Sequence, residues 1–237
     1  AIASCLQKKT IRKLSWQLRW KAVCGSTEIY LTNWLAEKPL SRNQPMAIFA
    51  SRQTHGVGQR GRFWSSPRGG VWLSAALPCL ADQQSSSLFG LAVALSLCER
   101  LELLGIQAKI KWPNDLLVFD KKLAGFLPRL IYRGDRLRQA RIGIGMNILN
   151  KTPVSGISLS QVLRTKNINL EKWSVEVLLS LERAMDLFET EEPFYLEVEK
   201  RLWDDKVIDP ISGELWSIEG LDNSGGLKLI KGKRKMI

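Results

Sequence analysis

Two segments of the chain concentrate side chains that could do chemistry. The first, "QTHGVGQRGRFWSSPRGGVWLS" over residues 53–74, contains three closely spaced glycines and three arginines: Gly56, Gly58, Gly61, Arg60, Arg62 and Arg68. Glycines let backbone N–H groups approach a ligand closely, and the forked guanidinium group matches a phosphate. Trp64 lies inside this loop, and a large aromatic side chain in a glycine-rich loop needs a surface to pack on. The segment therefore predicts a binding loop for an anionic ligand.

The glycine spacing matches a dinucleotide-binding fingerprint, but its surroundings do not. That fingerprint requires a strand before the glycines and a helix that starts at the last one. "MAIFAS" over 46–51 predicts the strand, whereas Pro67 and the pair Gly69-Gly70 prevent a regular helix after the loop. The sequence therefore argues against a nicotinamide or flavin cofactor.

The second segment is "KIKWPNDLLVFDKKLAGFL" over residues 109–127. Pro113 favours an extended Trp112, which fixes Lys111 at the end of a strand beside a turn formed by Asn114 and Asp115. A lysine there could be an exposed charge on an edge strand, but a cation held in this way suits negative charge that develops during a reaction.

A third polar cluster, Ser26-Thr27, stands where a helix is predicted to begin. Its hydroxyls and the free backbone N–H groups of the first helical turn can hold a polar or anionic ligand. A simple N-cap would use the same residues, so the cluster is informative only together with the two segments above.

The elements around these segments predict an α+β fold. A strand ends near Cys24, a helix follows as far as Pro39, a strand covers 71–77, and a helix covers about 86–104. Four strands without intervening helices then predict an antiparallel meander over residues 108–148, and helices follow from 170 and near 193. We expect a mostly antiparallel mixed sheet with helices on one side in residues 1–204, and a small C-terminal β module in residues 205–237.

Composition narrows the class of protein. The chain is 45% hydrophobic and 24% charged, which is typical of a soluble globular protein, and its longest apolar stretch, 88–98, is too short to cross a bilayer. We therefore expect a cytoplasmic protein without membrane association. The four cysteines, Cys5, Cys24, Cys79 and Cys98, show no metal-binding spacing, and His55 is the only histidine, which argues against a zinc site.

The net charge of +12 raises nucleic acid as a partner. No helix-turn-helix, zinc-finger or ribonucleoprotein motif accompanies the charge, so a nucleic-acid-binding function is an alternative only.

Taken in order, four segments resemble the biotin protein ligase family, also called biotin–[acetyl-CoA carboxylase] ligase. They are "GSTEIYL", "QTHGVGQRGRFWSSPRGGVWLSAAL", "KIKWPNDLLVFDKKLAGFL" and "IGIGMNI", and the similarity covers roughly residues 16–150. K-W-P-N-D followed by K-L-A-G is its specific part. The resemblance implies a class II synthetase-like catalytic domain, an SH3-like C-terminal module, and the monofunctional type that has no N-terminal DNA-binding domain.

The resemblance also implies a reaction and its residues. Biotin and ATP form biotinyl-5′-AMP and pyrophosphate, and the biotinyl group then passes to a lysine of a biotin carboxyl carrier protein, an acetyl-CoA carboxylase subunit. The implied biotin-binding residues are Ser26, Thr27, Glu28, Gln53, Gly56, Val57, Gly58, Gln59 and Lys111. The implied ATP-binding residues are Arg60, Arg62, Trp64, Lys111 and Asn147, of which Arg60, Arg62 and Lys111 are also catalytic. Mg²⁺ is expected with the pyrophosphate, held mostly by phosphates and water, and Asp115 is the one protein carboxylate considered as its ligand.

Several alternatives stay open. The family often carries basic residues where Val57 and Gln59 stand, so the adenylate could be held more loosely, and an inactive relative that only binds biotin is conceivable. A lipoate or octanoate ligase or transferase of the same fold family is the closest competing enzyme. The sequence leaves open whether the protein forms a homodimer.

Overall fold

A computed structural model describes Ile2 and residues 14–41, 43–78, 86–189, 193–209 and 211–237. Cys5 and Cys79 lie outside these residues. Cys24 and Cys98 are free and buried. Burial raises the pKa of Cys24, with partial opposition from nearby Lys21, and raises the pKa of Cys98 to about 12. Both thiols therefore stay protonated at neutral pH.

A seven-stranded sheet forms the centre of the molecule. In chain order its strands are β1 (Gln17–Lys21), β2 (Met46–Ala50), β3 (Val71–Pro78), β4 (Lys109–Lys111), β5 (Asp115–Val118), β6 (Lys121–Arg133) and β7 (Arg136–Met146). Their spatial order is β1-β2-β3-β7-β6-β5-β4. Among the described residues, β1 and β2 are the only strands of this sheet that pair in parallel, and the predicted antiparallel meander is confirmed as β4 to β7. β2 pairs antiparallel with β3, so no crossover helix follows the glycine loop.

Helices cover both faces of this sheet. The helices α2 (Ser86–Glu102) and α4 (Leu170–Glu189) pack together on one face, where the rings of Phe89 and Phe188 meet edge to face with centroids 5.4 Å apart. The first helix, α1 (Thr27–Glu37), lies on the opposite face, where its residues Leu31 and Trp34 pack against Met46 of β2. The expectation of helices on one side therefore holds for α2 and α4 but not for α1.

Side chains alternate between the two faces of the central strands, and this alternation determines where a cavity can form. On β7, Ile142 and Ile144 point into the main core, so Gly143 and Gly145 between them lie on the face that carries α1. Gly125 on β6 pairs with Gly145, which leaves this part of the sheet without side chains. The glycines leave room above the sheet next to a helix N-terminus, and the Trp64 indole fills part of it.

The C-terminal part packs on the same core. Two short helices, α3 (Leu159–Val162) and α5 (Tyr195–Glu199), precede a four-stranded antiparallel sheet made of β8 (Lys206–Ile208), β9 (Leu215–Leu221), β10 (Leu227–Lys231) and β11 (Arg234–Met236). Its side chains Trp216, Leu221, Leu227 and Leu229 belong to the main hydrophobic core. The turn between β9 and β10 contacts the K-W-P-N-D segment, where the indole Nε1 of Trp112 donates to the carbonyl of Gly225 at 2.9 Å.

No helix among the described residues is long and apolar enough to cross a membrane.

Candidate active site

A cavity of about 550 Å³ lies over the glycine surface of the sheet. One wall is the N-terminus of α1, the roof is the glycine loop after β2, and the far wall is formed by the β5–β6 hairpin and the loop after β7. The glycine floor is required, because a Cβ on Gly145 would lie 2.4 Å from the indole Nε1 of Trp64 and one on Gly125 would lie 3.0 Å from its ring carbons.

Neutral hydrogen-bonding groups form one end of the cavity. Ser26 caps α1, and its hydroxyl accepts from the backbone N–H of Glu28 at 3.3 Å. The Gln53 side-chain oxygen accepts from the backbone N–H and the hydroxyl of Thr27, at 2.8 and 3.1 Å, and Thr27 also shares a hydrogen bond with Ser74 at 2.9 Å. The amide nitrogen of Gln53 donates to Ser66 at 2.9 Å. These bonds fix the glycine loop to the start of α1. The part of this end at Thr27 and Gln53 is uncharged and suits a polar ring, and the ion pair of Glu28 and Arg129, 3.9 Å apart, lines the cavity beside it.

A lysine, Lys122, lies at the other end of the cavity. Lys122 Nζ lies 2.6 Å from Oδ1 of Asp115, and both side chains are partly exposed, 32% and 21%, towards the cavity. The same ammonium lies 4.7 Å from the ring centroid of Trp64, within the range of a cation–π contact. Asn147 donates to the Lys122 carbonyl at 3.2 Å, which fixes the backbone beneath the lysine.

The glycine loop folds back on itself as a small hairpin. Val57 bridges to Phe63, Gly58 N–H donates to the Arg62 carbonyl at 2.7 Å, and Trp64 N–H donates to the Gly56 carbonyl at 2.8 Å. Gly56 is needed for this fold, because a Cβ there would lie 2.4 Å from the carbonyl oxygen of Trp64. The hairpin places the Trp64 indole on the glycine floor and leaves the Phe63 side chain 71% exposed at the cavity mouth.

Most of the site residues expected from the sequence line this cavity. They are Ser26, Thr27, Glu28, Gln53, Val57, Gly58, Gln59, Arg62, Trp64, Asp115 and Asn147. Gly56 is buried behind them in the loop. Arg60 is not among the lining residues: it is exposed at the tip of the loop with φ +55°, because it forms the tight turn there together with Gly61 at φ +73°.

Lys111 does not line the cavity either. Its ammonium lies over the ring of Trp203, 4.7 Å from the centroid, on the edge strand β4. Trp203 is held there by hydrogen bonds to Asp120 and to the backbone of Ile110. The lysine in the cavity is Lys122 of the K-L-A-G sequence, which sequence reasoning missed as a site residue.

The register of the β5–β6 hairpin places Lys122 beside Asp115. The tight turn between β5 and β6 is Phe119-Asp120, and both residues have positive φ. This turn pairs Leu117 with Lys122, and a bulge after Leu116 moves Asp115 opposite Gly125 on the cavity floor. Lys111 pairs with Asp115 in the β4–β5 register, but its ammonium lies over Trp203, so the lysine that forms the ion pair with Asp115 is Lys122.

The two ends of the cavity lie on strands that are three positions apart. Ser74 is on β3 and Asp115 on β5, with β7 and β6 between them. At a strand spacing of about 4.8 Å, the uncharged end and the lysine end are about 14 Å apart. The cavity suits an elongated molecule with a neutral polar group at one end and an anion at the other.

Metal binding by the protein alone has little support in this geometry. Among the described residues no group of three histidine, cysteine or acidic side chains could hold a metal ion. Asp115 lines the cavity as a single carboxylate that is already paired with Lys122. The donor set fits a divalent cation only when phosphates supply most of its ligands.

Comparison with known proteins identifies relatives of the chain. A model of the biotin/lipoate A/B protein ligase family matches residues 26–147. The bifunctional ligase/repressor BirA of Bacillus subtilis is 41% identical over 108 residues, which cover 45% of this chain but 33% of BirA. BirA of Escherichia coli is 30% identical over 221 residues, which cover 87% of this chain and 67% of BirA. The chain thus spans between a third and two thirds of these relatives.

A solved structure supports the fold. The biotin protein ligase from Aquifex aeolicus, determined in complex with biotin and ATP, superposes with a TM-score of 0.75 at 24% identity and covers 93% of this chain and 95% of its own.

Proposed function

The chain belongs to the biotin/lipoate A/B protein ligase family, and we propose that it is a biotin protein ligase. It activates biotin with ATP to biotinyl-5′-AMP and transfers the biotinyl group to a lysine of a biotin carboxyl carrier protein. The observation that carries this proposal is the cavity with an uncharged end at Thr27 and Gln53 and a lysine at the other end.

Biotin fits the two ends of the cavity by its chemistry. Its ureido ring carries N–H donors and a carbonyl acceptor, which match the hydroxyls and backbone groups at the start of α1. Its carboxylate is joined to the ring by a short aliphatic chain that would cross the glycine floor towards Lys122. A side chain at position 143 or 145 would occupy that path.

In the first step, a carboxylate oxygen of biotin attacks the α-phosphorus of ATP, and the bond to the pyrophosphate oxygen breaks. Lys122 is the catalytic cation of this step: its ammonium would contact the biotin carboxylate and the α-phosphate and stabilise the charge that builds between them. Asp115 keeps the ammonium in place through the 2.6 Å ion pair. No protein base is required, because the attacking carboxylate is already ionised.

The nucleotide would bind on the side of the cavity that the glycine loop forms. Arg62 would contact phosphate, Trp64 would pack against the adenine, and Asn147 lines the same region. Mg²⁺ would be held mostly by the ATP phosphates, whose charge it would neutralise, and Asp115 is the carboxylate at the lysine end of the cavity. Arg60 could reach the phosphates only if the loop tip moved, since it is exposed outside the cavity.

In the second step, the carrier lysine attacks the acyl carbon of the adenylate, and AMP leaves. An acyl-adenylate is hydrolysed readily, so water must be kept out until the carrier arrives. The exposed side chains of Val57 and Phe63 at the mouth are apolar and suited to close over the bound intermediate. A cytoplasmic location, and a division of the chain after residue 204 into a catalytic region and a C-terminal β module, are parts of the same proposal.

The test is the release of pyrophosphate from ATP by the purified protein with biotin, with lipoate, with octanoate and with no acid. We expect pyrophosphate release from ATP with biotin but not with lipoate, octanoate or no acid, and we expect mass spectrometry to detect biotinyl-5′-AMP. Release with lipoate or octanoate but not with biotin would assign the protein to the other branch of its family. No release with any acid would refute the proposed activation step.

A further inference from the structure

Two charged side chains meet at the end of the cavity away from Lys122. They are Glu28 of α1 and Arg129 of β6, and both line the cavity. The carboxylate Oε1 of Glu28 lies 3.9 Å from Nη1 of Arg129. We call this ion pair the end wall.

Rows of cross-strand partners show that the cavity stops at the end wall. The last row that lines it completely, on the face that carries α1, consists of Ser74, Gly143 and Leu127. The next row on this face lies about 7 Å further along the strands and consists of Ala76, Arg141 and Arg129. Ala76 is buried under α1 and Arg141 does not line the cavity, so the cavity ends against Arg129.

The end wall crosses a gap that the packing of α1 leaves. α1 packs on β2 and β3, so a contact between α1 and β6 must pass over β7. Glu28 makes this contact with Arg129. One helical turn further along α1, the hydroxyl of Thr32 accepts from the guanidinium of Arg141 at 3.3 Å. The side chain of Arg129 is 54% exposed, so the end wall separates the cavity from solvent.

Stability does not account for the end wall. Arg129 pairs directly with Arg141 across the two strands, and like charges directly opposite each other in a sheet are destabilising. A partly exposed ion pair contributes little in return. The position of Glu28 in the first turn of α1 suits the helix dipole, but this explains only one of the two partners.

A ring bound at Thr27 and Gln53 would reach the end wall. The hydroxyl of Thr27 shares a hydrogen bond with Ser74 of the last lining row, and Glu28 is the next residue of the chain. A substituent on the far side of the ring would have to part Glu28 from Arg129 and take both charges out of water, which is costly. The bare ureido ring of biotin requires neither.

We propose that the end wall sets the specificity for the acid: it admits an unsubstituted ureido ring and excludes a ring that carries an alkyl group on a nitrogen. This proposal rests on the proposed function and adds Arg129 to the residues that select the substrate. Arg129 limits the size of the acid that binds and does not contact the reacting atoms, which lie at Lys122.

The test compares biotin with two analogues that carry a propyl group on one or the other ureido nitrogen. Pyrophosphate release from ATP is followed with hydroxylamine as acceptor, which takes the acyl group from the adenylate and lets turnover continue. Arg129→Ala and Glu28→Ala each remove one half of the end wall, and Glu28→Arg/Arg129→Glu rebuilds it with exchanged charges. Arg133→Ala is the matched control, because Arg133 lies on the same face of β6, four residues beyond Arg129, and does not line the cavity.

We expect wild type and Arg133→Ala to prefer biotin over both propyl analogues by about 100-fold or more in kcat/KM. Arg129→Ala and Glu28→Ala should lower this preference by about tenfold or more, through a lower KM for at least one analogue, while kcat with biotin stays within about threefold of wild type. The exchange variant should recover most of the preference, which general damage at this end would not do. Thermal unfolding shows whether the exchange variant is folded, and if it is not, the two alanine variants decide.

A preference in Arg129→Ala and Glu28→Ala equal to that in Arg133→Ala would overturn the proposal. So would a wild type that uses either propyl analogue as well as biotin, or a folded exchange variant as permissive as the alanine variants. These results would leave the proposed function intact, since biotin itself is used. A wild type that releases no pyrophosphate with biotin would refute the proposed function, and the end wall proposal would fail with it.

Discussion

Alternate residues of the same strands form the two faces of the central sheet, and one face packs in the core while the other lines the cavity. On one face of β7, Ile142 and Ile144 are buried under α2 and α4 and contribute to the core. On the other face, Gly143 and Gly145 contribute no side chain and leave room for the cavity. The difference shows how a strand of the repeating form I-G-I-G stabilises a fold and forms a binding surface at once. It also predicts that substitutions one residue apart affect different properties.

The largest effect on stability is expected on the core face. Ile142 is fully buried, and Ile142→Ala should lower the free energy of unfolding by about 2–5 kcal/mol, because it removes packed methylenes and leaves a cavity. Urea denaturation measures this loss. Biotin-dependent pyrophosphate release per folded molecule should stay near wild type below the unfolding transition, and a specific loss of activity at full stability would contradict the division between the faces.

The complementary change is on the cavity face. In Gly145→Ala the new Cβ would lie 2.4 Å from the Trp64 indole nitrogen, so the indole must move off the sheet. Overpacking of this kind costs roughly 1–3 kcal/mol. If the whole of this free energy is lost from nucleotide binding, the affinity for the nucleotide falls by about 5- to 150-fold. Isothermal calorimetry with biotin and a non-hydrolysable ATP analogue measures it. Gly143→Ala is the comparison for the nucleotide, because its Cβ would not meet the indole but only Leu127 at 3.6 Å and Ser74 at 3.9 Å, so it should weaken the binding of biotin and not that of the ATP analogue.

A smaller effect on activity is expected from removing a hydrogen bond that supports the cavity from outside it. Trp112→Phe keeps an aromatic ring but removes the 2.9 Å hydrogen bond from Nε1 to the Gly225 carbonyl, which joins the C-terminal module to the segment leading to Asn114 and Asp115. A hydrogen bond contributes about 0.5–1.5 kcal/mol, so we expect a decrease of about 2- to 12-fold in kcat with little change in the KM for biotin. Trp20→Phe, which changes an exposed indole, is the control. Unchanged kcat in Trp112→Phe would show that the C-terminal module does not position the site.

The smallest effect concerns the turn that presents Gly225. Burial alone would raise the pKa of Asp222, but hydrogen bonds from Ser224 and from the backbone of Gly226 and Ser224 outweigh it and lower the pKa. A lowered carboxyl pKa stabilises the fold above the unfolded pKa of about 3.9, and this contribution is lost as pH falls through the folded value. At pH 6, Asp222→Asn should therefore be less stable than wild type by under about 1 kcal/mol, and the gap should narrow as the pH falls through the folded pKa. A gap that does not narrow as the pH falls would contradict this origin.

The parts of the molecule that were predictable from the sequence are those with local signals. The meander from β4 to β7 follows from turn residues between apolar runs, and the start of α1 at Ser26 follows from its capping hydroxyl. The position of α1 on the second face could not be predicted, because it depends on packing between Trp34 and Met46, which lie on separate elements. The proposal of Lys122 instead of Lys111 as the catalytic lysine could not be reached from the sequence for a similar reason. Choosing between Lys111 and Lys122 requires the exact turn at Phe119-Asp120 and the bulge after Leu116, and both are set by tertiary pairing.

The most direct test of the account is the rate of biotin-dependent pyrophosphate release in Lys122→Ala and in Lys111→Ala. Lys122→Gln/Asp115→Asn serves as a check that does not leave an unpaired carboxylate. We predict a decrease of at least about 100-fold in both variants of Lys122, because a group that stabilises developing charge is lost, and a change of less than about threefold in Lys111→Ala. A collapse of the rate in Lys111→Ala, with near-normal rates in the Lys122 variants, would contradict the central claim that the lysine on the cavity face carries the chemistry.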